Sequence, residues 1–573
     1  MCGICGKLSW DGPVDSSLVR QMMDKMIHRG PDDGGIYAEQ CIALGHRRLS
    51  IIDLSTGKQP ISNEDGTVWI VFNGEIYNYV QLRNELLQAG HRFQTQTDTE
   101  VIVHLYEQYG EHCVDRLSGM FAFAIWDVRK KRLFLARDRV GIKPLYYSVN
   151  ENGLVFASEI KALLADPSVK REIDPQTIDK FLTFFYTPGP ETMFRSIQKL
   201  PPGHFLICED GKSQLHQYWD LAFVSEARKW SLNDTTAELA GLLREAVRSH
   251  MISDVPVGVL LSGGVDSTGL LSFCAEETNT KVKTFTIGFE GEQFADERTY
   301  ARLAAQRYGT EHYEMTISPL DFRDFMPTYV RHMEEPVCEP PAIALHYITR
   351  LASEHVKVLI SGEGGDEAFA GYEKYRNVVW LERFKQLGWP WTGGAERMLN
   401  GLSAIGVSKV ARYAAQMQIP LEEYYYSCSA GPQSPFVRLR EELYVPGFRK
   451  QIDPERSLQY LRECFSAVRS QNLLNKMLYV DTKTWLPDDL LVKADKMTMA
   501  NSVELRVPLL DHKVLEFAAS LPIEYKLNGF TTKHILKNAL VGRVPDQVIK
   551  RKKAGLPSPR RFHTAPPKSA EAL

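Results

Sequence analysis

An α+β domain followed by an α/β domain with a parallel sheet is the fold class this sequence predicts. Up to about residue 210 the text is strand-rich, with short apolar or alternating runs between Gly, Asn and Asp turns. After Asp234 it changes to regular alternation of helix and strand, the pattern of parallel strands joined by helical crossovers. The length of 573 residues, at roughly 150 per domain, allows two to four domains.

In the first half, strands are expected at Val68 to Asn73, Phe121 to Asp127, Arg132 to Arg137 and Leu154 to Ala157. One helix, Tyr79 to Ala89, carries apolar residues at helical spacing and stops at Gly90. Two Pro and Gly clusters within Thr187 to Gly203 mark turns on the approach to a boundary between residues 210 and 235. In the second half a helix to Ser249 precedes strand Val255 to Leu261, helix Thr268 to Glu277, strand Val282 to Phe289, helix Asp296 to Arg307 and strand Val356 to Ile360. No period of 20 to 50 residues recurs, which excludes a solenoid.

A net charge of −3, with 44% hydrophobic and 24% charged residues, gives no basic surplus for nucleic acid or anionic lipid. No run of 18 apolar residues appears, and Met1 to Asp11 lacks the basic and apolar regions of a secretory signal, so a cytoplasmic protein is expected. Nine scattered cysteines suit reduced thiols rather than a disulfide framework. Cys2-x-x-Cys5 has no second CxxC partner and is a poor zinc site.

Cys2 stands directly behind the initiator Met in Met1-Cys2-Gly3-Ile4-Cys5-Gly6. Removal of Met1 would place a free α-amine, with a pKa of roughly 7.7 to 8.0, on the same residue as the thiol. Such a residue carries its own base and is suited to acyl transfer. Taken alone, a Met-Cys start is more often accidental. Two further loops carry chemistry in the second half. Leu261-Ser262-Gly263-Gly264-Val265-Asp266-Ser267 ends an apolar strand and opens a helix, an anion cradle of backbone N–H groups at the carboxyl end of a parallel strand. A Gly-Gly turn before a helix cap is also an ordinary structural device. Ser361-Gly362-Glu363-Gly364-Gly365-Asp366-Glu367 repeats the arrangement after the next strand, so Asp266 and Asp366 are placed to share Mg²⁺.

With these residues on the page, the chain resembles the glutamine-hydrolysing asparagine synthetases over essentially all its length to about residue 560. The shared text is dense and ordered: MCGICG, HRGPDD (His28 to Asp33), HRRLSIIDLS (His46 to Ser55), FNGEIYN (Phe72 to Asn78), TDTE (Thr97 to Glu100), FAFAIWD, ARDRVGIKPLYY (Ala136 to Tyr147), SGGVDS, SGEGGDE and VKADKMTMANSVELRVPLLD (Val492 to Asp511). The resemblance implies a class II glutamine amidotransferase domain over residues 2–210, with an N-terminal nucleophile and sandwiched antiparallel sheets. It implies a synthetase domain of the ATP pyrophosphatase (PP-loop) type over 235–560. Residues 561–573 form a polar, Pro-containing end expected to be disordered, where relatives usually continue for several tens of residues.

The implied roles fall into two sets. Cys2 attacks the glutamine amide, and the Asn73 side chain with the Gly74 N–H forms the oxyanion hole. Arg48 clamps the substrate α-carboxylate, Glu75 and Asp98 receive the α-ammonium, and Leu49, Ser50, Ile51 and Ile52 join the glutamine site. For ATP, the resemblance gives Leu261, Ile287, Ser361 and Gly362 to adenosine and nucleotide contacts, and Ser262, Gly263, Gly264, Asp266 and Ser267 to the pyrophosphate end. Asp266 and Asp366 bind Mg²⁺, Glu363 acts in forming an acyl-adenylate, and Lys553 acts in the same step. Lys553 matches an R-x-K-x-G-F segment in which this chain has Leu556 in place of Phe; as bare sequence, Lys550 to Lys553 also reads as a solvated helix end. The partners implied are glutamine, aspartate and ATP, and oligomeric state is open, a homodimer included. Two other readings stand beside this one: the same architecture amidating another carboxylate, such as a uronic acid or a peptide side chain, and a non-catalytic nucleotide or glutamine binder. A cyclase of the β-lactam synthetase kind has no use for Cys2.

Overall fold

The computed structural model describes residues 2–224, 231–290, 297–386, 416–417 and 419–551. Lys553 and the 561–573 end lie outside the described residues.

The first half is two six-stranded antiparallel sheets laid face to face. The first sheet contains β1 (Gly3–Ser9), β2 (Asp33–Glu39), β3 (Ile42–Arg48), β8 (Tyr146–Asn150), β9 (Gly153–Ala157) and β10 (Gln198–Lys199), in the order β10-β8-β9-β1-β3-β2. The second contains β4 (Ile61–Ser62), β5 (Val68–Ile76), β6 (Gly119–Asp127), β7 (Arg132–Arg137), β11 (His204–Glu209) and β12 (Lys212–Gln217), in the order β12-β11-β7-β6-β5-β4. The run FAFAIWD in β6 shows why this sequence makes a layered structure. Alternate residues Ala122, Ala124 and Trp126 join Val71, Leu133 and Leu44 between the sheets. Phe121, Phe123 and Ile125 point the other way, into a core shared with Val101, Ile102 and Leu105 of an outer helix. Both faces of the strand are covered, so it reads as continuously apolar.

Three helices of nine residues or more flank this sandwich before residue 110: α1 (Ser16–Asp24), α2 (Tyr79–Gln88) and α3 (Asp98–Tyr109). Only α2 was expected from periodicity. α3 is capped by Thr97 and is buried from Asp98 through Tyr106, polar residues included, so its sequence has no apolar stripe to detect.

In the second half, β13 (Val257–Leu260), β14 (Lys283–Phe289), β15 (Glu311–Ile317), β16 (Val358–Ile360) and β17 (Glu504–Arg506) form one sheet in the order β15-β14-β13-β16-β17. Every pairing in it is parallel, as the helix and strand alternation predicts. β13 starts at Val257, after Pro256, which has no N–H for the ladder. β17, three residues long, is too short to announce itself as a strand.

The halves share one apolar core. Leu49, Ile51, Met120, Val140 and Ile142 from the first pack in the same cluster as Val247, Leu270 and Leu510 from the second. Polar ties reinforce the seam: Arg29 Nη1 to Asp495 Oδ2 at 2.8 Å, Lys357 Nζ to Asp32 Oδ2 at 2.7 Å, and Ser502 Oγ to the His28 carbonyl at 2.7 Å. Removing one partner of a pair as buried as Arg29 and Asp495 costs about 3–5 kcal/mol.

Candidate active sites

Cys2 immediately precedes β1, with its backbone N 3.0 Å from Asn73 Oδ1. That hydrogen bond orients the amide. The Asn73 Nδ2 is left buried with no hydrogen-bond partner among the described residues. Gly74 follows on β5 opposite Phe121, and a Cβ there would lie 2.1 Å from the Met120 carbonyl, so only glycine fits. Burial pushes the Cys2 thiol up, with the Leu49 carbonyl contact and the charge of Arg48 pulling the other way.

Around the thiol lies a small cavity of about 30 Å³ lined by Cys2, Arg48, Leu49, Ile51, Ile52, Gly74, Glu75 and Asp98. That volume holds water but not a whole glutamine molecule. Arg48 is buried and donates through Nη2 to the carbonyls of Ile52 and Asp53 at 3.2 and 2.5 Å, which fixes the guanidinium under the 49–53 loop. Ser50 is absent from the lining; its N–H donates to Asp32 Oδ2 at 2.8 Å. Asp98, first residue of α3, accepts from the Ile76 N–H at 2.9 Å and from Thr97 Oγ1 at 3.1 Å, and burial raises it to about 6. Glu75 is pushed well above the carboxylate range, first by burial and then by the charge of Glu504, against the pull of Arg506.

Glu504 and Arg506 belong to β17, in the other half of the chain. Glu504 lines the Cys2 cavity, and Arg506 Nη2 lies 3.3 Å from Glu75 Oε1. Arg506 also donates from Nε to Glu504 at 2.6 Å and from Nη1 to the His250 and Ile252 carbonyls at 2.7 and 2.6 Å.

A second cavity, about 620 Å³, opens at the carboxyl ends of β13, β14 and β16. It is lined by Leu261, Ser262, Gly264, Asp266, Ser267, Ile287, Ser361, Gly362, Glu363 and Asp366. Gly263 is absent from the lining but makes the turn: its φ is +67°, and a Cβ would lie 2.6 Å from the Ala301 N. The Ser262 N–H meets Ser267 Oγ at 3.2 Å, closing the loop over the start of helix Val265–Glu277, whose amino end faces the cavity. Asp266 and Asp366 converge on one cation, Lys533 Nζ, which lies 2.8 Å from Asp366 Oδ1 and bonds Asp266 as well. Burial alone would lower the Lys533 pKa; the two carboxylates hold it up instead.

A model of the glutamine amidotransferase domain matches residues 1–219, and a model of asparagine synthase matches residues 238–570. The chain belongs to the asparagine synthase family. It is 38% identical to asparagine synthetase (glutamine-hydrolyzing) 1 of Bacillus subtilis, a match covering 98% of this chain and 87% of that protein. A putative asparagine synthetase (glutamine-hydrolyzing) of Mycobacterium bovis is 36% identical, covering 98% of this chain and 88% of the relative. A protein of Gibberella zeae named amidase chry2 is 30% identical, covering 98% of this chain and 89% of the relative.

The structure brings the expected glutamine residues together around the smaller cavity except Ser50 and Asn73, the latter held to the Cys2 backbone N instead, and the expected nucleotide residues together around the larger cavity, with Gly263 behind them. It adds side chains that motif reading left out. Lys493 and Glu339 pair at 3.1 Å on the wall of the larger cavity, and the charge of Glu363 helps raise Lys493 against burial. Arg551 pairs with Glu297 at 2.6 Å and stacks 4.4 Å over Tyr300 at the cavity rim.

Proposed function

We propose that this chain is a glutamine-dependent asparagine synthetase, an ATP-consuming ligase whose two cavities run in series. At the first, the Cys2 thiol gives its proton to the α-amine freed by loss of Met1. Its sulfur then adds to the side-chain amide carbon of glutamine, while Asn73 Nδ2 and the Gly74 N–H hold the oxyanion. Collapse expels ammonia and leaves a thioester, and water releases glutamate and restores the thiol. Arg48 binds the α-carboxylate, and Asp98 with Glu75 the α-ammonium. A cationic substrate group offsets the cost of these buried acids.

At the second, the β-carboxylate of aspartate attacks the α-phosphorus of ATP, pyrophosphate leaves, and ammonia displaces AMP from the acyl-adenylate to give asparagine. The loop from Ser262 to Ser267 holds the pyrophosphate end, and Leu261, Ile287, Ser361 and Gly362 hold the nucleoside. Glu363 and Lys553 serve the adenylation step. Asp266 and Asp366 fit Mg²⁺, since both oxygen donors already converge on one positive charge at the cavity wall. Bound there, the ion would shield phosphate charge as pyrophosphate departs.

The observation that carries this reading is that one short strand, β17, links the two cavities: Glu504 lines the Cys2 side and Arg506 pairs with Glu75 there, while the Arg506 carbonyl accepts the N–H of Ser361, a lining residue of the larger cavity, at 2.9 Å. The test is an assay of purified protein with glutamine, aspartate and ATP, in which asparagine, AMP and pyrophosphate appear together. ADP and phosphate as products would exclude adenylation. The relative named an amidase supports a second reading, in which the acceptor is a different carboxylate. ATP–pyrophosphate exchange that stays at background with aspartate and rises with another acid decides for it.

A further inference from the structure

On the outer face of the first half, four side chains from three places in the chain point into one small space. Glu64 lies in the turn between β4 and β5, His91 follows the end of α2, and His104 and Glu107 sit one helical turn apart on α3. One ligand atom from each lies within 4.8 Å of all the others. His104 Nδ1 is 2.9 Å from Glu107 Oε2 and 3.7 Å from Glu64 Oε2, and His91 Nδ1 is 3.6 Å from Glu107 Oε2 and 3.8 Å from Glu64 Oε1. Tetrahedral zinc with bonds of about 2.0–2.1 Å holds its ligand atoms about 3.3 Å apart, in the middle of that range.

We infer that Glu64, His91, His104 and Glu107 form a divalent-metal site, best suited to Zn²⁺, separate from both catalytic cavities. Two features distinguish the cluster from surface ion pairs. The first is an outer ring that aims the ligands. Glu107 Oε1 accepts from Asn63 Nδ2 at 2.7 Å, and Glu64 Oε1 from the Arg92 N–H at 2.7 Å. His91 Nε2 faces Gln108 Oε1 at 3.4 Å, and His104 Nε2 faces Glu100 Oε1 at 3.5 Å. Both imidazoles thus turn Nδ1 inward, and His91 Nε2 meets an acceptor, the arrangement that fixes the tautomer of a metal-bound histidine. The second is charge: the two carboxylates contribute −2, which one divalent ion cancels once the imidazoles bind it as neutral ligands. The His104 side chain is fully buried, whereas Glu64, with 33% of its side chain exposed, leaves a path from solvent. Four protein ligands make a closed, structural site. It ties the β4–β5 turn and the α2 end to α3, the helix whose first residue is Asp98.

The test uses the full-length protein, stripped with EDTA and titrated with ZnCl₂ by calorimetry. One Zn²⁺ per chain should bind with micromolar or tighter affinity and raise the Tm. His91→Ala and Glu64→Gln, both at partly exposed positions, should each weaken binding by at least about tenfold while ammonia-dependent synthesis is unchanged. Co²⁺ in place of Zn²⁺ should give visible bands without the strong near-ultraviolet absorption of a thiolate ligand. No stoichiometric binding, binding indifferent to both substitutions, or a thiolate spectrum pointing to the cysteines would each overturn the site.

Discussion

Arg506 Nη2 lies 3.3 Å from Glu75 Oε1 across the seam between the halves, and it is the counter-charge for two buried acids, Glu75 and Glu504. Arg506→Met should therefore leave both carboxylates without their cation, at a cost of about 3–5 kcal/mol. Chemical denaturation should show a lowered midpoint. Arg506→Lys should recover only part of it, because one ammonium cannot reach Glu75, Glu504 and the His250 and Ile252 carbonyls together. A wild-type midpoint in Arg506→Met would show that the seam does not depend on this pair.

Cys2→Ala should abolish glutamine-dependent synthesis and spare ammonia-dependent synthesis, since the thiol and the nucleotide loops occupy separate cavities. Asn73→Ala, which removes the unpartnered Nδ2, should lower glutaminase kcat by about 10²–10³-fold. Steady-state assays with glutamine and then with ammonium chloride separate the two effects. Equal loss of both activities in Cys2→Ala would refute the nucleophile assignment.

The pH dependence of glutamine use should carry the signature of Asp98. Burial raises this acid from 3.8 to about 6, so it binds a proton as pH falls through that value and loses its attraction for an ammonium group. Glutaminase kcat/KM should fall below about pH 6, and Asp98→Asn should lower it throughout and flatten that limb. The stability sign is opposite. A carboxyl whose folded pKa is raised favours the native state while protonated, so Asp98 costs stability as pH rises from 3.8 through 6, and Asp98→Asn should lessen that cost.

Lys533 should matter to adenylation alone. Lys533→Ala leaves Asp266 and Asp366 facing each other without their shared cation, and ATP–pyrophosphate exchange should fall at least about tenfold, or 1.4 kcal/mol in barrier. Glutaminase turnover should not change. An unaltered exchange rate would make the lysine a purely structural counter-ion.

What was legible in the sequence was local. Cys2 behind Met1, the Asn73-Gly74 pair and the two glycine-rich loops announce themselves because each packs its chemistry into a few consecutive residues. The parallel sheet was legible because β13, β14 and β16 alternate with helices; β15, half-exposed and carrying Glu311, His312 and Glu314, was not read as a strand. Glu504 and Arg506 were hidden for the converse reason: they sit on a three-residue strand and act on Glu75, far away in the chain. Lys533 adopts φ +53° just ahead of a short helix, and no motif surrounds it. His104 and Glu107 have helical spacing, but Glu64 and His91 reach them only through the fold, and α3 is too evenly buried to be read as a helix at all.

The small chamber around Cys2 also governs who else can reach that sulfur. With 8% of the residue exposed and a small space beside it, the fold shields the Cys2 thiol from bulky oxidants and alkylating agents. The same enclosure makes the thiol a reporter of breathing. The rate at which a small alkylating reagent modifies Cys2, compared with a bulky one, measures how often and how widely the chamber opens in the absence of substrate.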